Sequence, residues 1–177
     1  TFPRLPAGAV GGAIAATRRR VCGIFGLQLS VLWQWAVASP RYLTITHLYR
    51  PLGGPPLPER IDSEEMYPWS RLEVLAGREV CFSSTRELPP EAAQDRAAQE
   101  HFGVRSWVTF PLTTGGGPTL GAVSFADMLE ERAWPETTRR RLRLVAEIFA
   151  AALDRKRADQ ELREGEARLQ LAAEAAG

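Results

Sequence analysis

The sequence predicts an α+β domain, with an antiparallel sheet flanked by helices from the two ends of the chain. Three observations carry this. Two pairs of strand-like segments, Val31 to Tyr49 and Trp107 to Ala126, are each joined by a short turn, and hairpins require antiparallel pairing. Helical spacing of apolar residues opens the chain. From Ala133 to Gly177 the pattern is one long helix. Pro135 suits its first turn, no later proline interrupts it, and Gly165 is its only weak link. Roughly 40 helical residues span about 60 Å, more than one small domain can cover.

Val10, Ile14, Val21, Ile24 and Phe25 follow helical spacing and predict an amphipathic helix from Pro6 to Cys22, closed by Gly23 and Gly26. Val31 to Val37 (VLWQWAV) is rich in aromatic and β-branched residues and reads as a strand. Ala38 to Arg41 is the turn, and Tyr42 to Tyr49 is the returning strand. Four prolines and two glycines between Pro51 and Pro58 exclude regular structure. Asp62 and Glu65 resemble a capping box, and Pro68 to Ala76 reads as a short helix stopped by Gly77. Glu79 to Ser83 is a short strand. Pro90 opens a helix to about His101, ended by Gly103; its inner face is expected at Ala92, Ala93 and Ala97, burying little apolar area and so loosely held. The second hairpin pairs Trp107–Leu112 with Thr119–Ala126. Pro111 within a strand removes a ladder hydrogen bond and argues against a central position, unless a bulge accommodates it.

Composition narrows the function. A chain of 177 residues can bury the core of one domain plus a tail. Net charge of +1 gives no electrostatic case for nucleic acid or for membrane contact. The runs Arg18–Arg20 and Arg139–Arg141 read as solvated helix faces. Cys22 and Cys81 have neither metal-site nor C-x-x-C spacing, which fits a reducing cytosol and predicts a cytoplasmic protein without disulfides. No segment approaches 18 consecutive apolar residues. No G-x-S-x-G, Walker loop, H-E-x-x-H or G-x-G-x-x-G occurs, and Gly8 to Gly12 lacks a preceding strand, so no enzyme is expected. Glu130, Glu131, Asp62 and Glu65 read as loop or cap carboxylates rather than a catalytic pair. The first residue is Thr1 and a new unit begins near the end, so an internal module of a larger protein is expected.

Several phrases resemble the GAF domain, a small sensory module of bacterial signalling proteins. VLWQW (Val31 to Trp35) resembles its first strand, Gly103 to Leu112 its penultimate strand, and Leu120 to Phe125 its last. Tyr67-Pro-Trp69 and Leu88-Pro-Pro-Glu91 resemble a subgroup found in multi-domain sensor histidine kinases. Leu162 to Gly177 is similar to the linker and first residues of a PAS domain. The resemblance spans nearly the whole chain and rests on the colinear order of these phrases. It implies a six-stranded antiparallel sheet, a ligand pocket on one face, and helices on the other that often dimerise. It also implies a division into a sensory domain at 1–155 and a signalling helix at 156–177 leading into a PAS domain, within a two-component protein.

Strand parity selects candidate pocket residues, because alternate residues share a face. Val31, Trp33 and Trp35 share one side of their strand, Trp107, Thr109 and Pro111 one side of theirs, and Ala122, Ser124 and Ala126 one side of the last. In bilin-binding relatives, residues matching Trp33, Thr109 and Ser124 face the pocket, and the segment matching Tyr67-Pro-Trp69 lines it. Small residues at 122, 124 and 126 leave room, while Val123 and Phe125 fill the helix-side core. The candidates are Trp33, Trp69, Thr109 and Ser124, then Trp107, Cys81 and His47. For each of these, an ordinary core position is the competing explanation.

The residues constrain the ligand without identifying it. The Asn-Lys…Phe…Asp-Glu signature of cyclic-nucleotide GAF domains is missing, and the chain has no asparagine. Cys22 precedes glycine and Cys81 precedes phenylalanine, so the Cys-His pair that attaches bilin in many relatives is missing too. His47 and His101 are too few for a haem or metal site; His101 suits a helix C-terminus and His47 a structural hydrogen bond. Relatives that reduce methionine sulfoxide use several active-site cysteines, which Cys22 and Cys81 do not supply. A small apolar or aromatic metabolite fits what remains. The alternative is a ligand-free dimerisation and signal-transmission spacer.

In the tail, Asp159–Arg163 and Glu164–Arg168 are favourable i,i+4 pairs. A heptad anchored on Val145 places Ala152, Asp159, Glu166 and Ala173 at a, with Ile148, Arg155, Leu162, Leu169 and Ala176 at d. That seam is half polar and predicts a weak parallel homodimer of the terminal helices, with registers close in energy.

Overall fold

The computed structural model describes residues 7–36 and 39–177. Helix α1 (Ala7–Phe25) leads into strands β1 (Leu29–Ala36) and β2 (Ser39–Tyr49). Strand β3 (Arg60–Asp62) and helices α2 (Ser63–Met66) and α3 (Pro68–Leu75) precede β4 (Val80–Phe82). Helix α4 (Ala93–His101) is followed by β5 (Ser106–Leu112), β6 (Gly121–Asp127) and the 41-residue α5 (Glu136–Ala176). The six strands form one antiparallel sheet in the order β3-β2-β1-β6-β5-β4. The predicted α+β architecture is the observed one. The helix start at Pro6, the strand end at Val37 and the turn residue Ala38 lie outside the described residues.

Local chemistry sets the element ends. Helix α1 runs through Gly23 and stops at Gly26, whose φ of 65° lets Leu27 N–H reach the Cys22 carbonyl at 2.8 Å. Gly77, at φ 78°, ends α3 the same way, with Arg78 N–H on the Glu73 carbonyl at 2.9 Å. The Asp62 carboxylate caps α2 by accepting the Glu64 N–H at 3.0 Å. Ser39, Pro40 and Arg41, read from sequence as a turn, belong to β2. Strand β3 is three residues long, too short to show a period, and was not expected. Pro111 sits in β5 without a bulge opposite Ala122, and β4 has already ended at the Val80–Thr109 pair. With one neighbour there, the missing N–H is tolerated.

Two cores lie on opposite faces of the sheet. On one face α1 and α5 cover Leu32, Val108, Phe110, Val123 and Phe125 with Ile14, Cys22, Leu142, Ala146 and Phe149. On the other, the segment from β3 to α4 covers Leu29, Val31, Trp33, Trp107 and Ala126. Alternate residues of β5 and β6 therefore serve different cores.

Three expectations are corrected. Arg18 is 2% exposed, not solvated: it lies four residues from both Ile14 and Cys22, on the buried stripe of α1, while Arg19 and Arg20 face outward. Burial lowers its pKa to about 10. Ile24, expected on that stripe, is 76% exposed. On α4, Ala93 and Ala97 face out, and the element is held by polar bonds instead. Arg96 donates to the carbonyls of Leu88 (2.6 Å) and Thr85 (3.1 Å), and Asp95 is buried.

Candidate functional site

The face of the sheet opposite α1 and α5 carries a cavity of about 90 Å³, roofed by α2, α3, α4 and the irregular segment before β3. Strands β1, β5 and β6 supply its floor: Val31, Trp33 and Trp35, then Trp107 and Thr109, then Ala122, Ser124 and Ala126. The small residues on β6 are why there is space at all, since Val123 and Phe125 point to the other core. Its volume is well below the roughly 300–1,000 Å³ of pockets for drug-sized ligands, so it suits a molecule no larger than a single ring or a short branched chain.

The cavity has few polar groups. Thr109 Oγ1 and Ser124 Oγ sit 2.8 Å apart and satisfy each other. Ser63 Oγ donates to the Arg41 carbonyl at 2.6 Å. Tyr67 lines the roof, and burial, with Asp95 close by, raises its pKa well above the ordinary phenol value, so it remains a protonated hydroxyl. Among the described residues, Arg50 and Arg71 are the charged members of the lining. Arg71 is engaged, lying 3.4 Å from Glu64 and donating to the Pro40 carbonyl at 3.3 Å.

Of the residues expected in the pocket, Trp33, Thr109, Ser124 and Trp107 line the cavity. Trp69 stands behind it, in an aromatic row in which its ring centre is 5.7 Å from that of Phe82, itself 5.3 Å from Trp107. Cys81 and His47 are on the other face. In β4, Val80 and Phe82 oppose Thr109 and Trp107, so Cys81 between them pairs with Val108 and packs on the α1/α5 core. His47 is misplaced by parity because β2 carries a bulge. Leu32 pairs with His47 and Trp33 with Ile45, leaving Thr46 as the extra residue. The bulge puts Leu43 and Ile45 on the cavity side but His47 on the helix side, close to Gly11.

Burial raises the pKa of Cys22 to about 12 and also raises that of Cys81, so neither is a thiolate at neutral pH. Among the described residues no three His, Cys, Asp or Glu side chains are grouped to hold a metal ion, and no helix is long and apolar enough to cross a membrane.

Sequence reasoning missed Arg50, which follows β2 just before a proline-rich stretch, and Asp95 on α4. Asp95 is 1% exposed and accepts the N–H groups of Trp69 (3.0 Å) and Ser70 (2.8 Å), which fastens the first turn of α3 to α4 and so sets the cavity roof. Only the i, i+3 relation of Asp95 to buried Ala92 hinted at it. Asp95→Ala strands two part-buried donors and is expected to cost about 2 kcal/mol. Urea unfolding measures this; a midpoint within error of the parent would show that the roof does not depend on this carboxylate.

Comparisons with known proteins agree with this geometry. The family model described as GAF domain matches residues 12–153. No curated protein sequence matches the chain. Among solved structures, the blue-light absorbing form of the PixJ GAF domain of Thermosynechococcus elongatus superposes with a TM-score of 0.68 at 14% identity, covering 96% of this chain and 98% of that one. A GAF domain region of a membrane protein from Geobacter sulfurreducens PCA gives a TM-score of 0.66 at 16% identity, with 82% and 93% covered. Residues 122 to 287 of a methyl-accepting chemotaxis protein give 0.69 at 11% identity, with 83% and 90% covered. At these identities the likeness is one of fold.

Proposed function

We propose a sensory function for this chain, which belongs to the GAF domain family: it binds a small molecule in the sheet cavity and relays occupancy through α5. One observation carries the reading. Strands β5 and β6 hold the cavity on one face and the seat of α5 on the other, residue by residue: Trp107 and Ser124 face the cavity, while Val108, Val123 and Phe125 pack under Leu142, Ala146 and Phe149. A ligand that shifts these strands must also shift what α5 rests on, since closely packed cores transmit strain.

The relatives named as the blue-light absorbing form of a GAF domain and as a methyl-accepting chemotaxis protein are consistent with a sensory role. We extend the reading as follows. Residues 156–177 are a signalling helix entering a PAS domain, the parent is a cytoplasmic or cytoplasm-facing sensor histidine kinase, and the fragment itself is not an enzyme. A second reading, a ligand-free spacer, draws on the modest size of the cavity. Native mass spectrometry of the purified chain, followed by denaturing extraction, separates the two. The sensing reading expects an added small mass under native conditions that disappears on denaturation. Identical native and denatured masses, together with no stabilisation by any member of a metabolite panel, would leave the spacer.

A further inference from the structure

We infer that the cavity is built for a small monocarboxylate with a compact apolar body, its charge held by Arg50; this rests on the sensing reading above. Arg50 lines the cavity, and its Nη2 is buried with no hydrogen-bond partner. Its guanidinium forms no ion pair among the described residues. At the hairpin end of the same cavity, the Trp35 indole N–H is also buried without a partner. Arg50 is half-buried, but a buried donor left unmet, as its Nη2 is, is costly. Trp35 lies near the other end of β1 from Arg50, so a ligand of this size would bring its acceptor to the Arg50 donor.

The lining says what kind of acceptor. Among the described residues it contains two arginines and no aspartate or glutamate. Arg71 is already engaged by Glu64, so one positive charge is free. A cationic ligand would find no counter-charge. A neutral one would leave Arg50 unpaired. A phosphate dianion would bring two charges to one. A single carboxylate matches the guanidinium in charge and in its planar two-pronged geometry. Most of the remaining lining is apolar, Leu29, Val31, Trp33, Trp107 and Met128 among it, which favours an apolar body, and about 90 Å³ limits that body to one ring or a short branched chain.

Benzoate and its neutral analogue benzamide test this by isothermal titration of the 177-residue chain. The inference expects benzoate to bind at least about tenfold more tightly than benzamide. It expects Arg50→Met to remove that preference by weakening benzoate far more than benzamide, with circular dichroism confirming the fold. If Arg50→Met does not fold, Arg50→Gln serves, and the preference of the parent chain is itself decisive. Equal affinity for the two compounds, or benzoate binding untouched by the Arg50 variants, overturns the inference. So does a neutral or cationic metabolite recovered by native mass spectrometry, which would leave the sensing reading intact. Failure of benzoate, benzamide and a set of aliphatic monocarboxylates to bind at all, with nothing retained in purification, overturns both.

Discussion

Gly121→Ala is expected to destabilise the domain by roughly 3 kcal/mol or more, because among the described glycines its Cβ meets the closest backbone. Gly121 opens β6 and pairs with Gln34 on one side and Leu112 on the other, in the middle of the sheet. A Cβ there would run into the Trp33 carbonyl, 2.8 Å from its carbon and 2.9 Å from Gln34 Cα. Both obstacles are backbone, so no rotamer change relieves them. Strand β1 must move away from β6, which works against the bond from Trp35 N–H to the Leu120 carbonyl (3.0 Å). Because Trp33 is also a cavity wall, the same shift distorts the site. For a domain of this size the loss corresponds to a Tm lower by about 6–12 °C. Gly12→Ala is the internal control. It lies on α1 with nothing within 4 Å, and there alanine should stabilise by up to about 1 kcal/mol. If thermal and urea unfolding leave Gly121→Ala within 1 kcal/mol of the parent, the close approach of these strands is not what the structure shows.

Much of this was legible in advance where local chemistry decides. Hairpins, glycine stops and the prolineless C-terminal helix are each set by nearby residues, and those elements were found in place. Parity on β1, β5 and β6 put Trp33, Trp107, Thr109 and Ser124 on one face because those strands run in unbroken register. It failed at His47 because one extra residue, Thr46, reverses the face and nothing in YLTITHLY marks a bulge. Cys81 lies in a strand of three residues, where the face is set by pairing rather than by pattern. Arg18 was misread by weighing residue type over spacing. Arg50 and Asp95 matter through unmet or long-range hydrogen bonds, with Asp95 reaching partners more than twenty positions away, and no local pattern encodes those.

The structure also moves the seam of the long helix, and this yields the prediction with the greatest consequence for signalling. Val145 and Ala152, taken from sequence as the start of the a positions, are turned onto the sheet-facing core. The free side of α5 instead begins at Leu144 and Ile148, 54% and 56% exposed. Following alternating steps of three and four from there gives Ala151, Arg155, Ala158, Leu162, Gly165, Leu169, Ala172 and Ala176. Arg155 is the one charged interruption, whereas the earlier frame ran through Asp159 and Glu166. A seam of leucine, isoleucine and small residues is self-complementary, and we propose that a second copy of the chain covers it in parallel. The flanks restrain it: Asp154 and Glu161 on one side of the seam meet Asp159 and Glu166 across a parallel pair, like charge against like. Such a dimer is weak and is tightened by salt, the opposite of one held by ion pairs. Sedimentation equilibrium of the chain should show self-association that strengthens between about 0.1 and 0.5 M salt, where the Debye length roughly halves. Ile148→Glu or Leu162→Glu should weaken it at least about tenfold, some 1.4 kcal/mol. Leu171→Glu should not, although Leu171 is as exposed as they are at 65%, because it lies off this seam. Equal damage from Leu171→Glu would point to non-specific apolar contact, and a chain that stays monomeric at high concentration and high salt would remove the dimer from the relay.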